Sequence, residues 1–182
     1  MKWLDRDSLR EALSYLGRAA LEEGLELEIC LYGGSAMLLA YDSRAATKDV
    51  DAVIKPVDAG KRLAAKIAKD LQLHEDWLND DVRQFLSPDP TKGRRKLSIE
   101  IPGLRVFVAT ANYLLAMKAI ACRRPLPGYR GDHDDLVFLI KKIGIRNVDE
   151  IQARIDQFFH DEVISEEKRE VLESLIKEAN DE

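Results

Sequence analysis

Apolar residues recur at helical spacing near the start of the chain, at Leu9, Leu13, Leu16 and Ala20. That spacing predicts an amphipathic helix, with Asp7 and Ser8 as caps and Gly24 as its stop. The pattern changes at Leu25–Tyr32. Polar and apolar residues alternate, then the run becomes wholly apolar, as in a strand entering a core. Gly33-Gly34 follows, and Ser35–Ser43 reads as a short helix. Lys48–Lys55 is a second strand, and Asp58–Leu73 an amphipathic helix with Lys and Arg on its polar face. His74–Ser87 reads as a turn and a short helix, and Pro88–Lys96 as a loop. Leu97–Ile101 and Leu104–Ala109 are expected to be strands joined by a tight turn at Pro102-Gly103. Thr110 caps a mostly apolar helix over 111–124, and 124–131 reads as a loop. Three helices end the chain, over 134–144, 148–159 and 165–179, with Asn147 and Ser165 where N-caps belong.

The expected fold class is therefore α/β, more narrowly α+β. A small mixed sheet with flanking helices fills residues 1–109, and a helical bundle packed on it fills 110–182. The 182 residues, 46% apolar, suit such an arrangement. The net charge of -5 and pI near 5.4 disfavour a dedicated nucleic-acid binder. One local basic run, Lys92–Lys96, reads equally as a nucleic-acid patch or as a solvated turn. Cys30 and Cys122 sit among apolar neighbours without metal-like spacing, which predicts reduced, buried thiols in a cytoplasmic protein. No apolar run approaches membrane-spanning length, and no secretory leader is expected.

The chemistry concentrates in "LYGGSAMLLAYDSRAATKDVDAVI", Leu31–Ile54. Side chains at 49 and 51 of one strand point to the same face. Two adjacent carboxylates repel unless they are solvated or share a cation. Oxygen ligands without histidine or cysteine favour Mg²⁺ or Mn²⁺. Just upstream, a strand passes through Gly33-Gly34-Ser35 into a helix, which exposes N–H groups suited to phosphate oxygens. A phosphate-holding turn beside a two-carboxylate metal site is equipment for phosphoryl or nucleotidyl transfer. Taken alone, Asp49 and Asp51 read equally as solvated strand-end residues.

"GGSAMLLAYDSRAATKDVDAVI" resembles the signature of the DNA polymerase β-like nucleotidyltransferase superfamily. More narrowly, "TKDVDAVI", "LRVFVATANYLLAMKAIACRR" and "RGDHDDLVFLIKKIGI" resemble blocks of the AbiEii-like proteins of abortive-infection and type IV toxin–antitoxin systems. The resemblance implies a Mg²⁺-dependent (or Mn²⁺-dependent) transfer of NMP from an NTP to an acceptor hydroxyl, on RNA such as tRNA or on a protein side chain. It also implies a toxin-like role and a cognate antitoxin partner. Gly33, Gly34, Ser35 and Lys48 would then face the nucleotide, and Asp49 and Asp51 would bind metal. Lys118 would neutralise phosphate, and Asp132 and Asp135 would complete the nucleotide site. Glu100 would be the third carboxylate, with Asp80 and Asp81 as rivals. The residues alone read otherwise for two of these groups: Lys118 as a lysine snorkelling from a buried helix, Asp132 and Asp135 as a helix cap. The competing reading is a module of the same fold that binds NTP or a partner without turnover.

Overall fold

The computed structural model describes residues 3–124, 130 and 132–181. The fold is α+β: a small mixed sheet with flanking helices, followed by C-terminal helices. The chain divides into two compact units. The first runs to Gln84 and includes Arg94–Ala109; the second comprises Phe85–Gly93 and the residues from Thr110 onward.

In the first unit, β1 (Leu4–Asp5) leads into α1 (Arg6–Glu22). The cap of α1 is Asp5, not Asp7 or Ser8, because the helix starts at Arg6, earlier than the apolar spacing suggests. Asp5 accepts from the Ser8 N–H at 2.8 Å. β2 (Leu27–Leu31), α2 (Gly33–Tyr41), β3 (Ala46–Thr47), β4 (Val50–Lys55), α3 (Val57–Asp70), β5 (Leu78–Asn79), β6 (Arg94–Lys96) and β7 (Leu104–Ala109) follow. β1 pairs with β3. The other strands form one sheet in the order β5-β4-β2-β7-β6. β2 is antiparallel to β4 and parallel to β7. Alternation in β4 buries Val50, Ala52 and Ile54 and leaves Asp51 and Val53 on the other face. Leu9, Leu13 and Leu16 of α1, with Leu63 and Ile67 of α3, are also buried, and the two helices pack on each other and on the sheet.

The basic run differs from its reading as a loop. Arg94–Lys96 is β6, an edge strand antiparallel to β7, whereas Leu97–Ile101 makes only one bridge, Ile101 to Leu104. A charged edge strand has one side to satisfy and one to leave in water, so its side chains need not alternate in polarity. β5 and the two-residue strands β1 and β3 are too short to show a period.

In the second unit, α4 (Ala111–Ala121), α5 (His133–Ile143), α6 (Val148–Asp156) and α7 (Glu166–Asp181) bury Leu114, Leu115, Leu136, Leu139, Ile151, Ile155 and Leu172 among themselves. Thr110 and Asn147 are N-caps, as expected. Residues 85–93 group with these helices although a boundary at 109 would leave them in the first half. The Ser87 N–H donates to Tyr113 Oη (2.9 Å), Tyr113 Oη donates to Ser87 Oγ (3.0 Å), and the Thr110 N–H donates to the Gly93 carbonyl (2.8 Å). Most of the expected loop over 124–131 lies outside the described residues. Among the described residues no helix is long and apolar enough to cross a membrane.

Candidate functional site

β2 ends at Leu31, where its neighbour β4 is just beginning. Leu31 is opposite Ala52, and the Tyr32 N–H donates to the Asp51 carbonyl at 2.9 Å. This antiparallel pairing brings the glycine turn and the aspartate block, some twenty residues apart in sequence, to one end of the sheet. Gly33 is already the first residue of α2, so the glycines form the helix's first turn rather than a loop before it. The cap position, Tyr32, supplies no side-chain hydrogen bond to this end. The first-turn N–H groups of a helix have no acceptor within the helix itself, and the helix dipole favours an anion there.

Both glycines are required sterically. Gly33 has φ +51°, and a Cβ there would stand 2.5 Å from Asp51 Oδ2. The Asp51 carboxylate therefore lies across the bare Cα of Gly33. A Cβ on Gly34 would come 2.7 Å from Thr47 Oγ1 and 3.1 Å from Arg44 Nη1. Arg44 thus places a guanidinium over the turn. The sequence reading missed it, because an arginine in a loop between two elements carries no periodic signal.

The other expected residues fall into three places. Ser35 is fully buried, and its hydroxyl donates to the Tyr32 carbonyl at 2.8 Å. The hydroxyl is spent inside the turn, so contact between Ser35 and phosphate is left to its N–H. Asp49 is exposed and lies just before β4 rather than within it. Its carbonyl accepts from Thr47 Oγ1 at 2.9 Å. Lys48 is exposed, with its ammonium 5.2 Å from the centre of the Trp3 ring. Glu100 does not join the aspartates. It is exposed in the irregular stretch before β7, whose first residue, Leu104, pairs with Leu27 at the far end of β2. A parallel strand of this length separates its two ends by about 17 Å. Asp80 is held by Lys61 (3.0 Å) and Arg83 (3.4 Å), and the Lys61 hydrogen bond keeps its carboxyl below the usual range. Asp81 is exposed.

Lys118, Asp132 and Asp135 form a cluster of their own in the second unit. Lys118 Nζ lies 2.6 Å from Asp132 Oδ1 and 2.8 Å from Asp135 Oδ2. Lys118 and Asp135 are buried; Asp132 is exposed. Asp132 occupies the N-cap position of α5 without making a cap bond, so its carboxylate serves the lysine rather than the helix end. His133 points elsewhere, its Nε2 2.9 Å from the Arg123 carbonyl. The lysine does not snorkel to solvent, and the charge expected to meet phosphate is already shared by two carboxylates.

By donor type, Asp49 and Asp51 suit a hard divalent cation. Mg²⁺ is commonly held by one or two carboxylates together with substrate phosphates and water, and Asp49 and Asp51 are such a pair of hard donors. The Gly33 cradle leaves the Asp51 carboxylate room that a side chain would fill. Among the described residues no cluster of three or more His, Cys, Asp or Glu side chains is placed to form an all-protein cage. Compared with known proteins, the chain matches no family model, no curated protein and no solved structure.

Proposed function

We propose that the first unit binds a nucleoside triphosphate with Mg²⁺ and transfers its NMP to an acceptor hydroxyl. One observation carries the reading: the Asp51 carboxylate lies against Gly33, in the first turn of α2. A polyphosphate at that turn would meet helix N–H groups and Arg44, with Asp49 and Asp51 beside it. The cation, held by Asp49 and Asp51 and by phosphate oxygens, would supply charge neutralisation. Gly33 and Gly34 keep the turn open to the phosphates, and Arg44 adds positive charge. The resemblance of Gly33–Ile54 to the polymerase β-like signature points the same way.

A second reading, binding of NTP without transfer, draws on the position of Glu100. The expected third carboxylate is at the wrong end of the sheet to act as a base. One experiment separates the two. Purified protein is incubated with each labelled NTP, Mg²⁺ or Mn²⁺, and candidate acceptors. Label transferred by wild type and lost in Asp51→Ala supports the enzyme. Thermal stabilisation by Mg²⁺–NTP without transfer supports the binding module.

A further inference from the structure

The sheet ends at β6, which pairs with β7 on one side only. Its ladder is fixed at both ends. The Gly93 carbonyl accepts from the Thr110 N–H at 2.8 Å, and the Leu97 N–H donates to the Val106 carbonyl at 2.9 Å. Successive residues of an antiparallel strand turn their backbone groups to opposite sides. Gly93, Arg95 and Leu97 therefore turn theirs to β7, and Arg94 and Lys96 turn theirs outward. Among the described residues, no group bonds the main chain of Arg94 or Lys96 from that outer side. Each of the two thus presents an N–H and a C=O in register on an open edge. Such an edge is a template on which a further strand pairs.

The side chains narrow the occupant. Arg94 lies over the sheet, 4.2 Å from the centre of the Phe107 ring, and is held by Glu28 at 2.7 Å. Arg95 and Lys96 are exposed, with Arg95 beside the Tyr41 ring, and among the described residues neither meets a carboxylate. Residues directly opposite each other on two antiparallel strands interact: opposite charges stabilise the pair and like charges oppose it. A second copy of this edge would set Arg and Lys against Arg and Lys, so copies repel one another here. A strand with acidic residues opposite Arg95 and Lys96 meets no such barrier. The charges that keep copies apart are therefore the charges that select a partner.

We infer that the outer edge of β6 docks an extended acidic segment of a partner protein, which adds to the sheet as an antiparallel strand. Read along its own chain, the segment carries one acidic residue opposite Lys96 and the next opposite Arg95. An apolar β-former follows opposite Arg94, whose charge Glu28 already meets. Main-chain bonds to Arg94 and Lys96 hold the segment, and its two consecutive carboxylates decide which sequences fit. The inference does not depend on nucleotide transfer.

The test is fluorescence anisotropy of the full chain with a labelled peptide, Thr-Val-Glu-Glu-Val-Thr. Its comparisons are the Lys-Lys counterpart, the same peptide N-methylated at the first Glu and the second Val, and a short single-stranded RNA. The Glu-Glu peptide is expected to bind at least about tenfold tighter than the Lys-Lys one. N-methylation removes the amides that face Lys96 and Arg94, and should cost about tenfold in affinity. Arg95→Glu with Lys96→Glu should reverse the order of the two peptides and keep the melting temperature, since both side chains are exposed. On binding, hydrogen exchange should slow at the Arg94 and Lys96 amides and stay unchanged at Arg95, whose backbone is already turned to β7. No binding at millimolar peptide, equal affinity of the N-methylated peptide, or no reversal in the double variant overturns the inference. Tighter binding of the RNA, lost in the double variant, also overturns it and makes the run a phosphate-binding patch. Self-association of the wild type that the double variant abolishes overturns it too, and gives the edge to a second copy.

Discussion

The Asp51 carboxylate occupies the space that any side chain at Gly33 would need, with 2.5 Å between its Oδ2 and the position of a Cβ. The two residues come from different elements, and the contact depends on both the sheet register and the left-handed backbone of Gly33. Gly33→Ala should therefore act twice. It should cost about 1 kcal/mol or more of stability through backbone strain, and it should push Asp51 off the turn. Denaturant titration reads the first effect. Loss of the Mg²⁺–NTP shift in melting temperature reads the second, and an unchanged shift would detach Asp51 from nucleotide binding.

Gly34 and Ser35 should separate. Gly34→Val drives a side chain into Thr47 and Arg44, so NTP affinity should fall by an order of magnitude or more. Ser35→Ala removes one buried hydrogen bond to Tyr32 and should cost about 1 kcal/mol of stability with little change in affinity. Equal NTP affinity in wild type and Gly34→Val would assign the glycine to packing alone.

Lys118 should prove structural in the first instance. Lys118→Met strands the buried Asp135 without its cation, at a cost of about 3–5 kcal/mol. Lys118→Met with Asp135→Leu should recover much of that loss, because an apolar pair carries no desolvation penalty. Urea unfolding of the two single variants and the double variant measures the coupling. Additive losses would show that the pair contributes nothing jointly.

The Asp80 carboxyl is held below its ordinary range chiefly by the Lys61 hydrogen bond. A depressed folded value means that the unfolded chain binds the proton first as pH falls. The contribution is thus complete above the unfolded value, about 3.9, and is lost as pH drops through the folded one. Lys61→Met should return the Asp80 titration, followed by carboxyl NMR, toward the ordinary value. It should also flatten this part of the acid limb of the stability curve. Asp80 is partly exposed, so the effect on stability is expected to be small.

Much of the architecture was legible in local pattern. The 3.6-residue spacing of Leu9, Leu13 and Leu16, the alternation through Val50–Lys55, and the Thr110 and Asn147 caps each depend on neighbours within a few residues. The Gly33-Gly34-Ser35 turn and the aspartates stood out for the same reason, since their residue types are unusual for a core. What could not be read there depends on partners far along the chain. Arg44 over Gly34 and Asn79 beside Asp51 require the sheet register, and Lys118 between Asp132 and Asp135 requires the packing of α4 on α5. Glu100 shows the limit in reverse. Its residue type suits a third ligand, but parallel pairing of β7 with β2 sets it a strand length from Asp51, and a carboxylate acts only where it reaches.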